Sequence, residues 1–462
     1  MKRILLSVFA VAITAVWVAP VSAADVTLGG HYRLRGEYTN NADFNKSIND
    51  HSDSWGQRVR LTANAKATDD TSVKITLQDT RTWGSTQATA GGPGLTDTGN
   101  TLDFHESYMN VENVFDTGVA FRAGRQELVY GDERLIGAFG WSNNGRSFDA
   151  LKAVYKNDIV NIDLFTSKII EKSPTNNDTN FSGIYATIKA IPDNVIDVYF
   201  LHLRDSNSAT GVSPFGFGAT IGNTTLTSDG ATYLSDPAKL NTFGVRVKGA
   251  VSGLDYTVEL PVQRGTITTN TREYDIKAYA FAAKLGYNLP TPIKARVGVE
   301  YDYASGDKDA GTTATPDTDL QTFSNLFPTN HDKLGLMDTQ AWRNVKAWNL
   351  NATLEPTDKL KLLVSFWDFS LAQKNDAWYS AAQWNNNTNT GATLVRRANS
   401  SNGSKDLGNE IDLVASYKYN SAVSAEVGYG RYFVGKFAEN NTANSNDVED
   451  MDWAYLMLTT NF

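Results

Sequence analysis

Apolar and polar residues alternate along most of this chain with a period of two. Val26, Leu28, Tyr32, Leu34 and Tyr38 fall on one face of an extended segment, and Thr27, His31, Arg33, Arg35 and Glu37 fall on the other. Trp55, Val59, Leu61, Ala63 and Ala65 oppose Arg58, Arg60, Thr62, Asn64 and Lys66 in the same way, and Val73, Ile75 and Leu77 oppose Lys74, Thr76 and Gln78. The pattern returns in mid-chain, with Phe243, Val245 and Val247 against Thr242, Arg246 and Lys248, then Ile293 to Tyr301 against Lys294, Arg296, Glu300 and Asp302. Near the end Ile411, Leu413, Ala415 and Tyr417 face away from Glu410, Asp412, Ser416 and Lys418. A strand with one apolar and one polar face has this signature. About eighteen such segments can be marked, many near the ~9–11 residues that carry a tilted strand across a bilayer.

The connections alternate in length. Thr68 to Asp70, Asn157-Asp158, Pro192 to Asn194, Leu289 to Pro292, Pro356 to Asp358 and Asn420-Ser421 are short; Asp205–Leu240, Ala304–Ala341 and Leu371–Gly408 are long and rich in Asn, Thr, Ser, Gly and Asp. Long stretches such as "WNNNTNT" and "ENNTANSND" read as solvated linkers rather than cation sites. Trp55, Trp83, Tyr287, Tyr301, Tyr303, Tyr417 and Tyr419 stand near strand ends, where an interfacial girdle places them. A secreted two-sheet β-protein, a polysaccharide lyase or lectin, would also alternate, but it would leave sheet edges to protect, whereas closure removes them. The pattern predicts an all-β fold: a single transmembrane, antiparallel, up-and-down β-barrel of about 18 strands, with short periplasmic turns and long extracellular loops.

The first residues, MKRILLSVFAVAITAVWVAPVSAAD, have a basic start, an apolar run and small residues before Ala24. They read as a signal peptide over 1–23, leaving 24–462 as the barrel. The net charge of −9 falls to −11 once Lys2 and Arg3 are removed, which argues against a nucleic-acid partner. There is no cysteine, so neither a disulfide framework nor a thiolate metal site is available. These features place the chain in the outer membrane of a Gram-negative bacterium, with outer-membrane lipid as its surroundings.

A barrel of ~16–18 strands is wide enough for a water-filled lumen lined by the polar faces. Arg33, Arg35, Arg58, Arg60, Lys66 and Lys74 then come from the first three strands, Arg122 from a later one, and Arg246, Lys248, Lys294 and Arg296 from the middle. Glu410, Asp412 and Glu426 form an acidic patch near the end, which closes beside the beginning. Such a wall favours anionic solutes or polysaccharide, since guanidinium groups match carboxylates. The opposing reading has these charges pairing with one another and stiffening the wall. Between Gln126 and Gly145 a polar run belongs to an external or lumen-folded loop, after which Phe148 to Tyr155 returns as a strand. Strict alternation puts Arg125 opposite Arg122 unless Gly124 marks a bulge.

Gly124-Arg125-Gln126, Tyr130-Gly131-Asp132, Arg134-Leu135-Ile136-Gly137, Trp141 and Arg146-Ser147-Phe148-Asp149-Ala150 resemble the signature region of the alginate-export family of outer-membrane proteins. The resemblance covers Gly124–Tyr155 by motif, and the rest of the chain by architecture and by the terminal Phe462. It implies a monomeric eighteen-strand barrel with a charged, arginine-bearing pore, which adds Arg125, Arg134 and Arg146 to the solute pathway; in the namesake the pore passes a polyuronate outward. A general or substrate-specific uptake porin is the alternative within the same class.

An enzyme reading rests on His105 and Ser107, two apart on one face, as in an outer-membrane phospholipase where an imidazole activates a hydroxyl. Glu300 and Asp302 are the acids that glycoside hydrolysis would use. No third member joins His105 and Ser107, and the five histidines show no metal spacing, so no cofactor or metal is expected.

Overall fold

In the computed structural model, residues 25–462 are described apart from 48, 84–101, 172–177, 207–219, 222–223, 226–235, 269–272, 310–318, 382–402 and 442–447. The expected leader over 1–23, the segment "WNNNTNT" and most of "ENNTANSND" lie outside the described residues.

Alternation becomes eighteen long strands: Asp25–Asn40, Ser52–Lys66, Thr71–Thr82, Leu102–Val111, Val119–Gln126, Phe148–Lys156, Val160–Ile170, Thr179–Ile188, Asn194–Asp205, Ala238–Val251, Leu254–Thr268, Glu273–Leu289, Lys294–Ala304, Val345–Thr357, Leu360–Leu371, Asp406–Lys418, Val423–Val434 and Met451–Asn461. Each long strand pairs antiparallel with its neighbours in sequence, and the first pairs with the last from His31↔Asn461 to Asn40↔Asp452. Closure leaves no edge, so every strand finds hydrogen-bond partners on both sides within lipid. The last residue helps to close the ring: the Phe462 N–H donates to the Gly30 carbonyl at 3.0 Å and the Gly30 N–H to the Phe462 carbonyl at 2.6 Å.

One end of the barrel carries the short turns and the other the long loops, as the spacing predicts. The outward faces are apolar and exposed, with Leu28, Leu61, Leu164, Phe243, Leu350 and Val427 among them. Trp55 and Trp83 stack at 6.0 Å near the loop end, and Tyr287, Tyr417 and Tyr419 lie exposed at the turn end. These are the two levels at which amphipathic rings favour a membrane interface.

The inner face departs from the expected water-lined wall. Toward the loop end the loop 127–147 and the described residues 319–344 of the next long inward connection turn into the barrel and pack there. Ile136 and Phe327 form a parallel bridge; the Gly137 N–H donates to the Phe327 carbonyl and the Phe327 N–H to the Leu135 carbonyl, both at 2.9 Å. Phe327 meets the inward-facing Phe148 and Phe181 at ring distances of 5.5 and 4.9 Å, and Phe165 lies 5.3 Å from Phe181. Leu201, Leu203, Leu240 and Ile276 join this core, all nearly inaccessible. The reason is local: the loops bring Leu128, Leu135, Ile136, Phe323 and Phe327 with them, and each such side chain gains about 1.5–3 kcal/mol by leaving water. The barrel is therefore oily outside, packed inside toward its loop end, and polar inside toward its turn end.

Candidate solute pathway

The arginines expected in the lumen divide into two sets. In the first, Arg33 and Arg58 are cross-strand partners and Arg35 follows two residues on. All three are buried, because the tip of the loop 127–147 lies on them. Arg33 donates through Nη1 to the Gly140 carbonyl at 2.8 Å, and through Nη2 to the Trp141 and Ser142 carbonyls at 2.8 and 3.0 Å and to Asn143 Oδ1 at 2.9 Å. Arg58 donates to the Gly140 and Ser142 carbonyls at 3.1 and 3.0 Å. Arg35 donates to the Trp141 carbonyl at 2.5 Å and its guanidinium lies 3.9 Å from the Trp141 ring, while Glu37 accepts from its Nε at 2.8 Å. Trp141 in turn stacks on His331 of the other inward loop at 3.8 Å. Gly56 makes the close approach possible, since a Cβ there would stand 2.2 Å from Asn143. These arginines are loop clamps.

Arg134, Arg146 and Arg246 are clamps as well. Arg134 projects from the loop into the wall and pairs with Glu300 and, at 2.9 Å, with Asp302. The two acids are thereby committed to an ion pair and not arranged for glycoside chemistry. Arg246 holds Asp197 at 2.8 Å and also Asp132 of the same loop. Arg146 donates to the Phe327 and Pro328 carbonyls at 2.5 and 2.7 Å, tying one loop to the other. Burial without a carboxylate in contact pushes its guanidinium down to about 9. On the facing side Glu410 accepts from the Leu336 and Met337 N–H groups at 2.6 and 3.0 Å. Of the acidic patch, Glu410 thus catches backbone donors as the arginines catch carbonyls, while Glu426 accepts from the Ser416 and Tyr455 hydroxyls at 2.6 and 2.9 Å.

Arg125 is not in the lumen. Gly124 takes φ 129° without any shift of register, so alternation runs on through it. Arg125 therefore points outward with Phe121 and Ala123, and lies 3.5 Å from the exposed Asp149. Gln126 turns inward instead and is fully buried against the Ala150 carbonyl at 3.0 Å. A true bulge lies earlier, where Thr76 faces Glu106 and Leu77 faces Phe104. It turns both His105 and Glu106 inward and leaves Ser107 on the outward row with Ile75 and Arg125. The proposed His105 and Ser107 pair is thereby separated. His105 sits between Glu127, 2.7 Å from Nε2, and Ser147, whose hydroxyl donates to the His105 carbonyl at 2.5 Å.

The second set of cations remains on open wall toward the turn end. Arg60 donates to Gln78 at 2.7 Å and lies 3.4 Å from Glu127; Lys74 meets Glu106 at 2.5 Å. With His31 and Asn64 they line a recess of about 360 Å³. Arg122 lies on the same wall, 4.3 Å over the Tyr108 ring, with Asn110 accepting from its Nε at 3.2 Å. It makes no ion pair among the described residues. Lys152 stands opposite Arg122 in register and pairs with Asp163 at 3.1 Å. Lys248 follows Arg246 on the inward register and is exposed near the turn end. Arg296 is held by Asp255 at 2.6 and 2.8 Å and by Asn351 at 3.2 Å. Lys284, which meets Glu300 at 3.3 Å, and Lys152 follow the same alternation that marks Arg122, whereas Tyr108 does not. Tyr108 was masked by the bulge, which breaks the count of faces just before it.

The alginate export family model matches residues 24–449. Solved structures similar in fold include the outer membrane protein OprD of Pseudomonas aeruginosa (TM-score 0.56, 9% identity, covering 96% of this chain and 95% of that one). OccD3 (OpdP) of the same organism gives 0.55 at 10% identity, covering 96% and 95%. Its OpdO gives 0.54 at 11% identity, covering 95% and 97%. No curated protein sequence matches the chain. The eighteen-strand closed barrel, its apolar exterior and this match make it an outer-membrane β-barrel channel of a Gram-negative bacterium, and the chain belongs to the alginate export family.

Proposed function

We propose that the channel passes hydrophilic anionic solutes, carboxylated sugars or their polymers above all, along the wall formed by Arg60, Lys74, Arg122 and Lys152. The observation that carries this is Arg122, a lumen guanidinium with no carboxylate in contact among the described residues, stacked on Tyr108. The Lys74 ammonium, paired with Glu106, lies 6.0 Å from the same Tyr108 ring. An aromatic face flanked by two cations suits a uronate-like unit: the ring packs on the C–H face of a sugar while the cations take its carboxylate. The loops packed into the loop end favour a selective path over a wide general pore. The path lies within one barrel, so a monomer suffices for this reading.

Planar-bilayer recordings test the proposal. In a salt gradient the wild-type channel prefers anions, and Arg122→Glu shifts the reversal potential toward cations. Oligomeric uronate blocks the wild-type current from one side and loses its effect in that variant. A wild type without anion preference, or a variant with the same reversal potential, overturns the reading.

A further inference from the structure

We propose that the outer surface of the barrel at the extracellular ends of the strands Asn194–Asp205, Ala238–Val251 and Leu254–Thr268 binds the phosphates of a phosphorylated glycolipid of the outer leaflet, the chemistry of lipopolysaccharide. Arg204 and Lys239 are direct cross-strand partners. Their neighbours Leu203, Asp205, Ala238 and Leu240 are all buried inward, so both cations point outward. Two like charges side by side on one face are destabilising unless an anion lies between them. Arg264, exposed on the next strand, adds a third positive charge one step away, opposite Asn241. None of the three makes an ion pair among the described residues.

Several other outward cations at this end have acids of their own. Arg81 holds Asp79 at 2.7 Å, Lys277 holds Asp319 at 2.8 Å, and Arg431 holds Asp450 at 3.2 Å. The protein neutralises its rim in those places and leaves it positive here. Height also fits. Arg204 is ten residues along its strand from Asn194. At about 3.3 Å per residue and a tilt near 40° that is roughly 25 Å, the height of the apolar band of such a barrel. Below Arg204 and Lys239 come the paired His202 and Asn241, 2.8 Å apart, and then Phe200 and Phe243, which pack at 4.8 Å with Val198 and Val245 exposed beneath them. Acyl chains meet apolar rings, and headgroup phosphates meet Arg204, Lys239 and Arg264. Phosphate is the fitting anion because it accepts several charge-assisted hydrogen bonds at once.

The test uses the full chain refolded into nanodiscs of zwitterionic phosphatidylcholine, with diphosphoryl lipid A as the probe and native mass spectrometry as the readout. Wild type binds the probe, and R204Q/K239Q/R264Q binds it about tenfold more weakly. Lys189→Gln with Lys359→Gln, at the periplasmic turns, changes nothing. Retained heat-dependent gel mobility reports that the triple variant is folded. If it is not, wild type against diphosphoryl and fully dephosphorylated lipid A gives the answer without a variant. Equal binding of the two lipids, or unchanged binding by the folded variant, overturns the proposal. Displacement of the probe by inorganic phosphate alone, or a second copy of the chain seated on the wild-type surface in place of lipid, overturns it as well.

Discussion

Two walls of this barrel carry arginines that look alike in sequence and differ in what they hold. On one, Arg33, Arg35 and Arg58 are sealed beneath the loop 127–147 and spend their donors on its carbonyls. On the other, Arg122 lies over Tyr108 with one side-chain acceptor, Asn110. The first set meets the partial negative charge of backbone carbonyls inside a packed region, where leaving those carbonyls unmet would be costly. The second has no carboxylate in contact among the described residues, and the proposed solute contact rests on it. Arginines on one inner face thus differ in what they hold, and burial beneath a loop separates them.

The largest expected effect comes from dismantling the clamp wall. Arg33→Ala with Arg35→Ala and Arg58→Ala removes charge-assisted hydrogen bonds worth about 1.5–3 kcal/mol each and strands the carbonyls they served. The loop then loses its seat. The midpoint of thermal or urea unfolding in detergent should fall sharply, and single-channel conductance should rise. If neither quantity moves, these arginines are not clamps and the contrast between the walls fails.

Next is Gly124→Ala, which probes how the open wall is built. A Cβ there would lie 2.3 Å from the Ser107 carbonyl oxygen and 2.8 Å from the Tyr108 Cα, on a backbone with φ 129°. The strain should cost about 1–3 kcal/mol, read as a lower unfolding midpoint, and should displace Tyr108 from beneath Arg122. A variant as stable as wild type would mean that the strand relaxes there freely.

The strand count, the closure of last strand on first, the alternation of short and long connections and the exposed apolar face were all legible in the sequence, because a period of two depends only on local geometry. The placement of Arg122, Arg60 and Lys74 on the inner face followed from the same rule. Their division from Arg33, Arg35 and Arg58 did not, because it depends on where a loop about 100 residues away comes to rest. Arg125 lies outward, and His105 and Ser107 fall on opposite faces, for opposite reasons. The register runs straight through Gly124, where a bulge would turn Arg125 inward, and shifts at His105, where strict alternation would keep the two residues on one face. Nor could alternation show that inward positions such as Phe148, Phe165 and Phe181 pack against a loop, since an inward apolar residue looks like an irregularity until its partner Phe327 is in place.

A middle-sized effect separates the walls by charge alone. Arg122→Glu changes a lumen charge by two, and at roughly 8 Å in water-like surroundings this is worth about 1 kcal/mol to a passing monovalent ion. Anions lose and cations gain that amount, so the ratio of anion to cation permeability should drop about thirtyfold. Arg58→Gln, measured beside it, should lower stability and leave that ratio near the wild-type value, because Arg58 faces carbonyls and not the path. Equal shifts in both variants would erase the distinction between clamp and pathway.

The smallest effect belongs to Arg125, three residues from Arg122 on the same strand. Its side chain is 43% exposed, points outward, and stands 3.5 Å from an even more exposed Asp149. An exposed pair of this kind contributes about 0–1 kcal/mol and is screened by salt. Arg125→Gln should therefore leave the unfolding midpoint within a degree or so of wild type by this reckoning. The ion selectivity should not change at all, because the barrel wall lies between this charge and the lumen. A selectivity shift comparable to that of Arg122→Glu would mean that the strand turns both arginines inward in the membrane. Gly124 would then act as the bulge that the straight register excludes.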